Sequence, residues 1–252
     1  MKCERLSERR ILITGASAGI GRTLALACAE AGAAVAVAAR RRDRLEALVA
    51  EIAARGGMSI AVEMDVRSDA SVSAAFEFAE AKLGAIDGVV ANAGIHLPGK
   101  ALDTPIQQFD EILAVNTRGV FLTLREGARR MIENRVAKGR MLLIASVGGI
   151  RVLPNVTAYC VSKAAVIMMG RSLAREWATA GINVNVICPG YVATEINEEW
   201  FRSGSGRRLI DKLPRKRLIQ AGEIAPIATL LLSDAAETIT GSVITVDDGQ
   251  FE

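Results

Sequence analysis

Short apolar runs alternate with amphipathic stretches along the whole chain, and most runs are apolar at consecutive positions rather than at every second one. Successive side chains of a strand point to opposite faces, so a continuous apolar run is a strand buried on both sides. Runs at 11–13, 35–39, 58–64, 86–91, 141–145, 182–188 and 243–246 predict seven strands. Between them the period changes to that of a helix. A glycine turn and a helix-like stretch ending at Gly32 follow the first run. Leu45, Leu48, Val49 and Ile52 share one face within 43–55, and 69–83 reads the same way. Long helical stretches fill 105–134 and 156–179. Strict alternation of buried strand and helix predicts an α/β fold, a doubly wound, seven-stranded parallel sheet with helices on both faces.

Composition narrows the function. The 252 residues are 50% hydrophobic, too apolar for disorder, and no Pro/Ser-rich linker or repeat divides them, so residues 1–252 are read as one domain. A net charge of +3 gives no footprint for nucleic acid. The longest apolar stretches, such as 33–39, fall far short of the roughly 20 residues of a membrane helix. Residues 1–5 are charged and lack a signal-peptide core. Cys3, Cys28, Cys160 and Cys188 form no CxxC pair, and His96 is the one histidine. The expectation is a cytoplasmic protein with reduced thiols, no structural zinc and no membrane partner. One segment departs from the pattern. Residues 191–217 are polar around 203–206, with Trp200 and Phe201 beside them, and read either as a surface excursion or as a lid over a pocket.

After the first strand comes Thr14-Gly15-Ala16-Ser17-Ala18-Gly19-Ile20-Gly21. Gly15 permits a sharp turn, Gly19 a close approach of backbone to a phosphate, and Gly21 tight packing of helix on sheet. The helix start would present N–H groups to an anion. Taken alone, the turn is equally a plain structural connection. It lacks the lysine of a P-loop.

Further motifs follow in order: Asn92-Ala93-Gly94 after the fourth strand, Asn116 in the next helix, Ser146 ending the fifth strand, and Tyr159 with Lys163 as YxxxK. Pro189-Gly190 follows the sixth strand, with Val192 and Thr194 just beyond. This series resembles the short-chain dehydrogenase/reductase family along the whole chain. The resemblance implies a single-domain Rossmann fold that binds NAD(P). It implies cofactor contacts from Gly15, Ser17, Gly19, Ile20, Gly21, Asn92, Ala93, Gly94, Tyr159, Lys163, Pro189, Gly190, Val192 and Thr194. Asp65 and Val66, after the third strand, resemble the family's adenine-contacting pair, and Asp65 is also placed to cap a helix. A homo-oligomer, tetramer or dimer, is implied as well. The chain departs from the family at Ala91, Ala145 and Asp248, where another Asn, a second Ser and a Gly are common.

The second strand ends Ala38-Ala39-Arg40-Arg41, without the acidic residue that would bond a ribose hydroxyl. Arg40 and Arg41 suit a 2′-phosphate instead, which favours NADP(H) over NAD(H), unless the arginines simply open a solvated helix.

Tyr159 and Lys163, four apart, share one helix face. A free phenol has a pKa of about 10, and a neighbouring ammonium lowers it toward working range. Tyr159 would exchange a proton with a carbonyl oxygen while Ser146 hydrogen-bonds that oxygen. By resemblance, Asn116 holds water that links Lys163 to solvent, and Lys163 also binds the ribose. No G-x-S-x-G elbow or zinc ligand set supports other chemistries. Residues expected near the substrate are His96, Val147, Gly148, Ile150, Leu153, Trp200 and Phe201, beside Tyr159 and Val192. This largely apolar set favours a hydrophobic ketone or secondary alcohol. His96 is as readily a plain loop residue. A second reading is a 3-oxoacyl-[acyl-carrier-protein] reductase, with Arg129, Arg130 and Arg175 meeting an acidic carrier. A third is a catalytically silent NADP-binding sensor.

Overall fold

The computed structural model describes residues 6–195 and 197–251. The expectations for residues 1–5, Cys3 included, lie outside the described residues. The main sheet is built from β1 (Arg10–Thr14), β2 (Ala34–Ala39), β3 (Met58–Glu63), β4 (Gly88–Ala91), β5 (Gly139–Ile144), β6 (Ile182–Pro189) and, after two short strands β7 (Val192–Ala193) and β8 (Ile219–Gln220), β9 (Val243–Val246). The order is β3-β2-β1-β4-β5-β6-β9, with every neighbouring pair parallel.

The seven runs read from the sequence are the seven strands of this sheet. Alternate residues of each run feed two separate cores. Leu12, Ala36, Ala38, Met141 and Leu143 face one side. Ile11, Ile13, Val35, Val37, Leu142 and Ile144 face the other. Helices α1 (Gly19–Glu30) and α2 (Arg42–Ala54) cover the second side. The first side is covered by α3 (Asp69–Leu83), α5 (Gly119–Glu133) and α6 (Thr157–Glu176), with α4 (Ile106–Leu113) packed outside against α6. The chain winds outward from β1 in both directions. Its reversal leaves a crevice beyond the carboxyl ends of β1 and β4, where α/β sheets bind ligands.

Three features differ from the sequence reading. The stretch 105–134 is not one helix: α4 and α5 are joined by a single π turn, Ala114–Arg118. The polar excursion is not irregular, since it holds α7 (Glu198–Arg202) and α8 (Gly204–Lys212). Ser203 caps α8 by accepting from the Gly206 N–H at 3.2 Å. Its polar composition gave no apolar period, and the cap supplies the local signal that composition hid. A further helix, α9 (Ala225–Leu232), packs on the second core and has Ala225, Ala228, Leu231 and Leu232 buried. Apolar nearly all round, it shows no amphipathic stripe to find. No helix among the described residues is long and apolar enough to cross a membrane.

Candidate active site

At the end of β1 the glycine turn is laced to the loop that follows β4. The Thr14 hydroxyl accepts from the N–H groups of Asn92 and Ala93, both at 3.0 Å. Asn92 Nδ2 donates back to the Thr14 carbonyl at 2.9 Å. Gly15 sits at φ +67°, and a Cβ there would lie 2.8 Å from Ala93 Cα. A Cβ on Gly21 would lie 2.4 Å from Asn92 Nδ2, so helix, turn and loop meet with no room for a side chain. Thr14 was not singled out in the sequence, although it opens the motif. Its role depends on a contact 78 residues away. Helix α1 begins after Ala18, which offers no side-chain cap, and carries no acidic residue in its first turn. Its first N–H groups therefore point outward without a capping side chain.

Tyr159 and Lys163 stand in the first turns of α6. The Lys163 side chain is buried, and its ammonium donates to the Ile144 carbonyl at 2.9 Å and lies 5.7 Å from the centre of the Tyr159 ring. Burial pulls Lys163 down to about 8, against an opposing pull from Cys188. Burial pushes the Tyr159 phenol up, and a hydrogen bond with Ser146 works against it. Ser146, at the end of β5, is oriented by the Gly148 N–H, which donates to its Oγ at 3.0 Å. Asn116 occupies the π turn and is fully buried. Its Oδ1 accepts from the Ile95 N–H at 2.8 Å and its Nδ2 donates to the Ile95 carbonyl at 2.9 Å. Nδ2 also reaches the Ser162 hydroxyl at 3.1 Å, and that hydroxyl donates to the Tyr159 carbonyl at 2.7 Å. A Cβ on Gly94 would lie 3.4 Å from Asn116 Oδ1 and 3.5 Å from the Lys163 ammonium. Asn116, Ser146, Tyr159 and Lys163, spread over 48 residues, thus meet at one end of the sheet.

At the end of β2, Arg40 and Arg41 are exposed, and neither is in an ion pair among the described residues. Arg41 donates to the Ser17 hydroxyl at 2.8 Å, bringing it against the glycine turn. Asp65 is engaged by Arg67 at 2.7 Å, and these bonds hold its carboxyl below the usual range. Val66 is buried against Gly119. Ile20 is half-buried, and Thr194 approaches Gly19, where a Cβ would meet its Cγ2 at 3.4 Å. Pro189 ends β6, and Gly190 packs against Asp247 and Gln250.

The substrate-side residues divide. His96 is exposed, its ring edge-on to Tyr159 at 4.9 Å, and partial desolvation lowers its pKa. Val147, Gly148 and Phe201 are buried, Leu153 is half-buried against Gly148, and Ile150 and Trp200 are exposed. Val192 is buried in β7. Tyr191 was missed. It meets Phe201 at 5.9 Å, and burial pushes its phenol up. A concavity of about 480 Å³ lies elsewhere, between α4, the π turn, α5 and α6. No cluster of His, Cys, Asp and Glu that could hold a metal occurs among the described residues.

The chain is similar to known proteins along nearly its whole length. Residues 15–250 match the family model described as enoyl-(acyl carrier protein) reductase. The chain is 35% identical to a glucose 1-dehydrogenase of Gluconobacter oxydans over 98% of its own length and 93% of that protein's. It is 33% identical to a 3-oxoacyl-[acyl-carrier-protein] reductase of Staphylococcus epidermidis, over 97% of this chain and 99% of the other. Its fold matches a gluconate 5-dehydrogenase of Burkholderia cenocepacia, solved with NADP and tartrate, with TM-score 0.92, 34% identity and coverage of 98% and 96% of the two chains. With matches spanning nearly its whole length, the chain belongs to the short-chain dehydrogenase/reductase family.

Proposed function

We propose that the protein is an NADP(H)-dependent oxidoreductase interconverting a ketone and a secondary alcohol. The observation that carries this is the convergence of the Tyr159 hydroxyl, Ser146 and the buried Lys163 ammonium at one point beyond the sheet.

The turn fits a dinucleotide. Gly15 and Gly19, at φ +67° and +56°, and the crowded Gly21 leave backbone exposed beside an uncapped helix start, which is the donor set a pyrophosphate needs. Ser17, Ile20, Asn92, Ala93, Gly94, Asp65, Val66, Pro189, Gly190, Val192 and Thr194 complete the cofactor wall in this reading. Arg40 and Arg41 take the 2′-phosphate, Arg41 from its place beside the Ser17 hydroxyl. The bound nicotinamide supplies or accepts the hydride. Tyr159 donates its proton to the carbonyl oxygen in reduction and removes it in oxidation. Ser146 hydrogen-bonds that oxygen. Lys163, cationic below about 8, stabilises the phenolate. Asn116 fixes the loop at Ile95 and holds the water side of Lys163.

The substrate is hydrophobic in this reading. Ile150, Leu153, Trp200 and Phe201 surround the reacting centre with His96 at the mouth, and residues 191–217 form the lid. Cys160 and Cys188 are free thiols, which suits a cytoplasmic setting. The open apolar concavity lined by Leu113, Ala114, Phe121 and Met169 suits a homo-oligomer, tetramer or dimer.

The 3-oxoacyl carrier reading is favoured by the Staphylococcus relative. It loses two of its arginines, because Arg129 is tied to Glu126 and Glu133, and Arg130 to Glu126 and Glu80. NADPH oxidation with a panel of bulky ketones and 3-oxoacyl thioesters separates the readings. Tyr159→Phe should lower kcat on the ketones by about 10²–10⁴ while still binding NADPH. Undiminished turnover in Tyr159→Phe refutes the mechanism, a preference for thioesters promotes the carrier reading, and no turnover on any carbonyl leaves a sensor.

A further inference from the structure

The excursion between β7 and β8 stands on two feet, and the last turn of the chain fastens both. The feet pair with each other: Val192 lies opposite Ile219, and the Ile219 N–H donates to the Tyr191 carbonyl at 3.0 Å. The Gln250 side chain then bridges them. Its Oε1 accepts from the Tyr191 N–H at 2.6 Å, and its Nε2 donates to the Arg217 carbonyl at 3.5 Å. Asp248 adds charge, with Oδ1 3.2 Å from Arg215 and Oδ2 2.8 Å from Arg217 Nε. Its side chain is 11% exposed, and Arg217 is braced from the other side by Glu223 at 2.8 Å.

The same turn reaches the aromatic residues of the excursion. The Phe251 ring lies 5.3 Å from Tyr191, Tyr191 meets Phe201 at 5.9 Å, and Phe201 meets Trp200 at 4.9 Å. Asp248 holds φ +57°, a conformation in which a side chain is disfavoured and glycine is at ease. Glycine there would relax the backbone and delete the clamp. The position therefore separates folding from fastening.

We propose that Asp248 and Gln250 are positioning residues that latch the two feet of the excursion and so set where Trp200 and Phe201 stand over the substrate. The latch is read from contacts alone; its effect on substrate rests on the oxidoreductase reading above.

The test uses the full chain with Asp248→Gly, Asp248→Asn and Gln250→Ala. Trypsin cleavage within 202–217 should be about tenfold faster in each variant, because opening becomes easier. The KM for a ketone substrate should rise about five- to tenfold, with kcat and NADPH affinity within about twofold of the parent. Asparagine tolerates the left-handed backbone but carries no charge. Parent-like cleavage in Asp248→Asn overturns the charge clamp, and unchanged cleavage in both Asp248→Gly and Gln250→Ala overturns the latch. Faster cleavage with unchanged KM overturns the positioning role. Cleavage is read without turnover, so an enzyme inactive on every carbonyl sinks the oxidoreductase reading while proteolysis still decides the latch.

Discussion

At the scale of single residues, burial and neighbouring charge decide the chemistry. Tyr159 and Lys163 would be an ordinary surface pair on a solvated helix. Here burial pushes the phenol up and draws the ammonium down to about 8, which leaves a neutral acid beside a cation at neutral pH. In the proposed reaction such a pair gives a proton to a carbonyl. Cofactor choice also rests on single residues. Arg40 and Arg41 follow Ala39, the place where an acid would serve a ribose hydroxyl. Arg40→Asp should therefore weaken NADPH binding by about tenfold or more while altering NADH binding far less. Fluorescence titration with both nucleotides reads this, and equal losses would count against the clamp. The residue types and their order were legible in the sequence. The partners were not: Thr14 and Tyr191 gain their roles from contacts that no local pattern encodes.

At the scale of elements, α5 shows how a charged helix is held against the core. Glu126 is buried, and burial alone would raise its pKa, but bonds from Arg129 and Arg130 outweigh this and bring it to about 2. A carboxylate whose folded pKa is depressed contributes stability that is full above its unfolded value and is lost as pH falls through the folded one. The window is thus about 4.5 down to about 2. Glu126→Gln should cost about 2 kcal/mol at pH 7, discounted for the half-exposed Arg129, and the gap to the parent should close toward pH 2. Urea melts across that range measure it, and a gap independent of pH would exclude the ion-pair origin. The break between α4 and α5 belongs to this scale too. The sequence 105–134 keeps a helical period throughout, yet the π turn at Ala114–Arg118 turns Asn116 into the core beside Ile95 and Ser162. One extra residue in a turn shifts the helix phase without interrupting the helix, and a short apolar pattern does not resolve the shift.

At the scale of the whole molecule, a single sheet serves two cores and one crevice. Helices on both faces exhaust the apolar sides of the strands, so the site must form beyond the strand ends, from loops. Among the described residues an apolar concavity stays open on the helices of the first side. The concavity of about 480 Å³ has Phe121 at its wall, 40% exposed, and Ile106 and Met168 on its helices α4 and α6 are more exposed still. Under the homo-oligomer proposal this concavity is a contact between copies of the chain. Sedimentation velocity at micromolar concentration should show a dimer or tetramer, and Phe121→Glu should shift it toward monomer. A parent that sediments as monomer would remove this surface as the interface.

The sequence by itself determined the sheet and its parallel sense, and it named the candidate site residues. Continuous apolar runs can be satisfied only by burial on both faces, and glycines, Tyr159 and Lys163 carry their chemistry in their residue type. Only the tertiary structure decided which of them meet. It brought Asn116 inward on a π turn, tied Arg129 and Arg130 to acids, and folded the polar excursion into two helices pinned by Asp248 and Gln250. Each of these depends on contacts between residues far apart in the chain, which local pattern does not record.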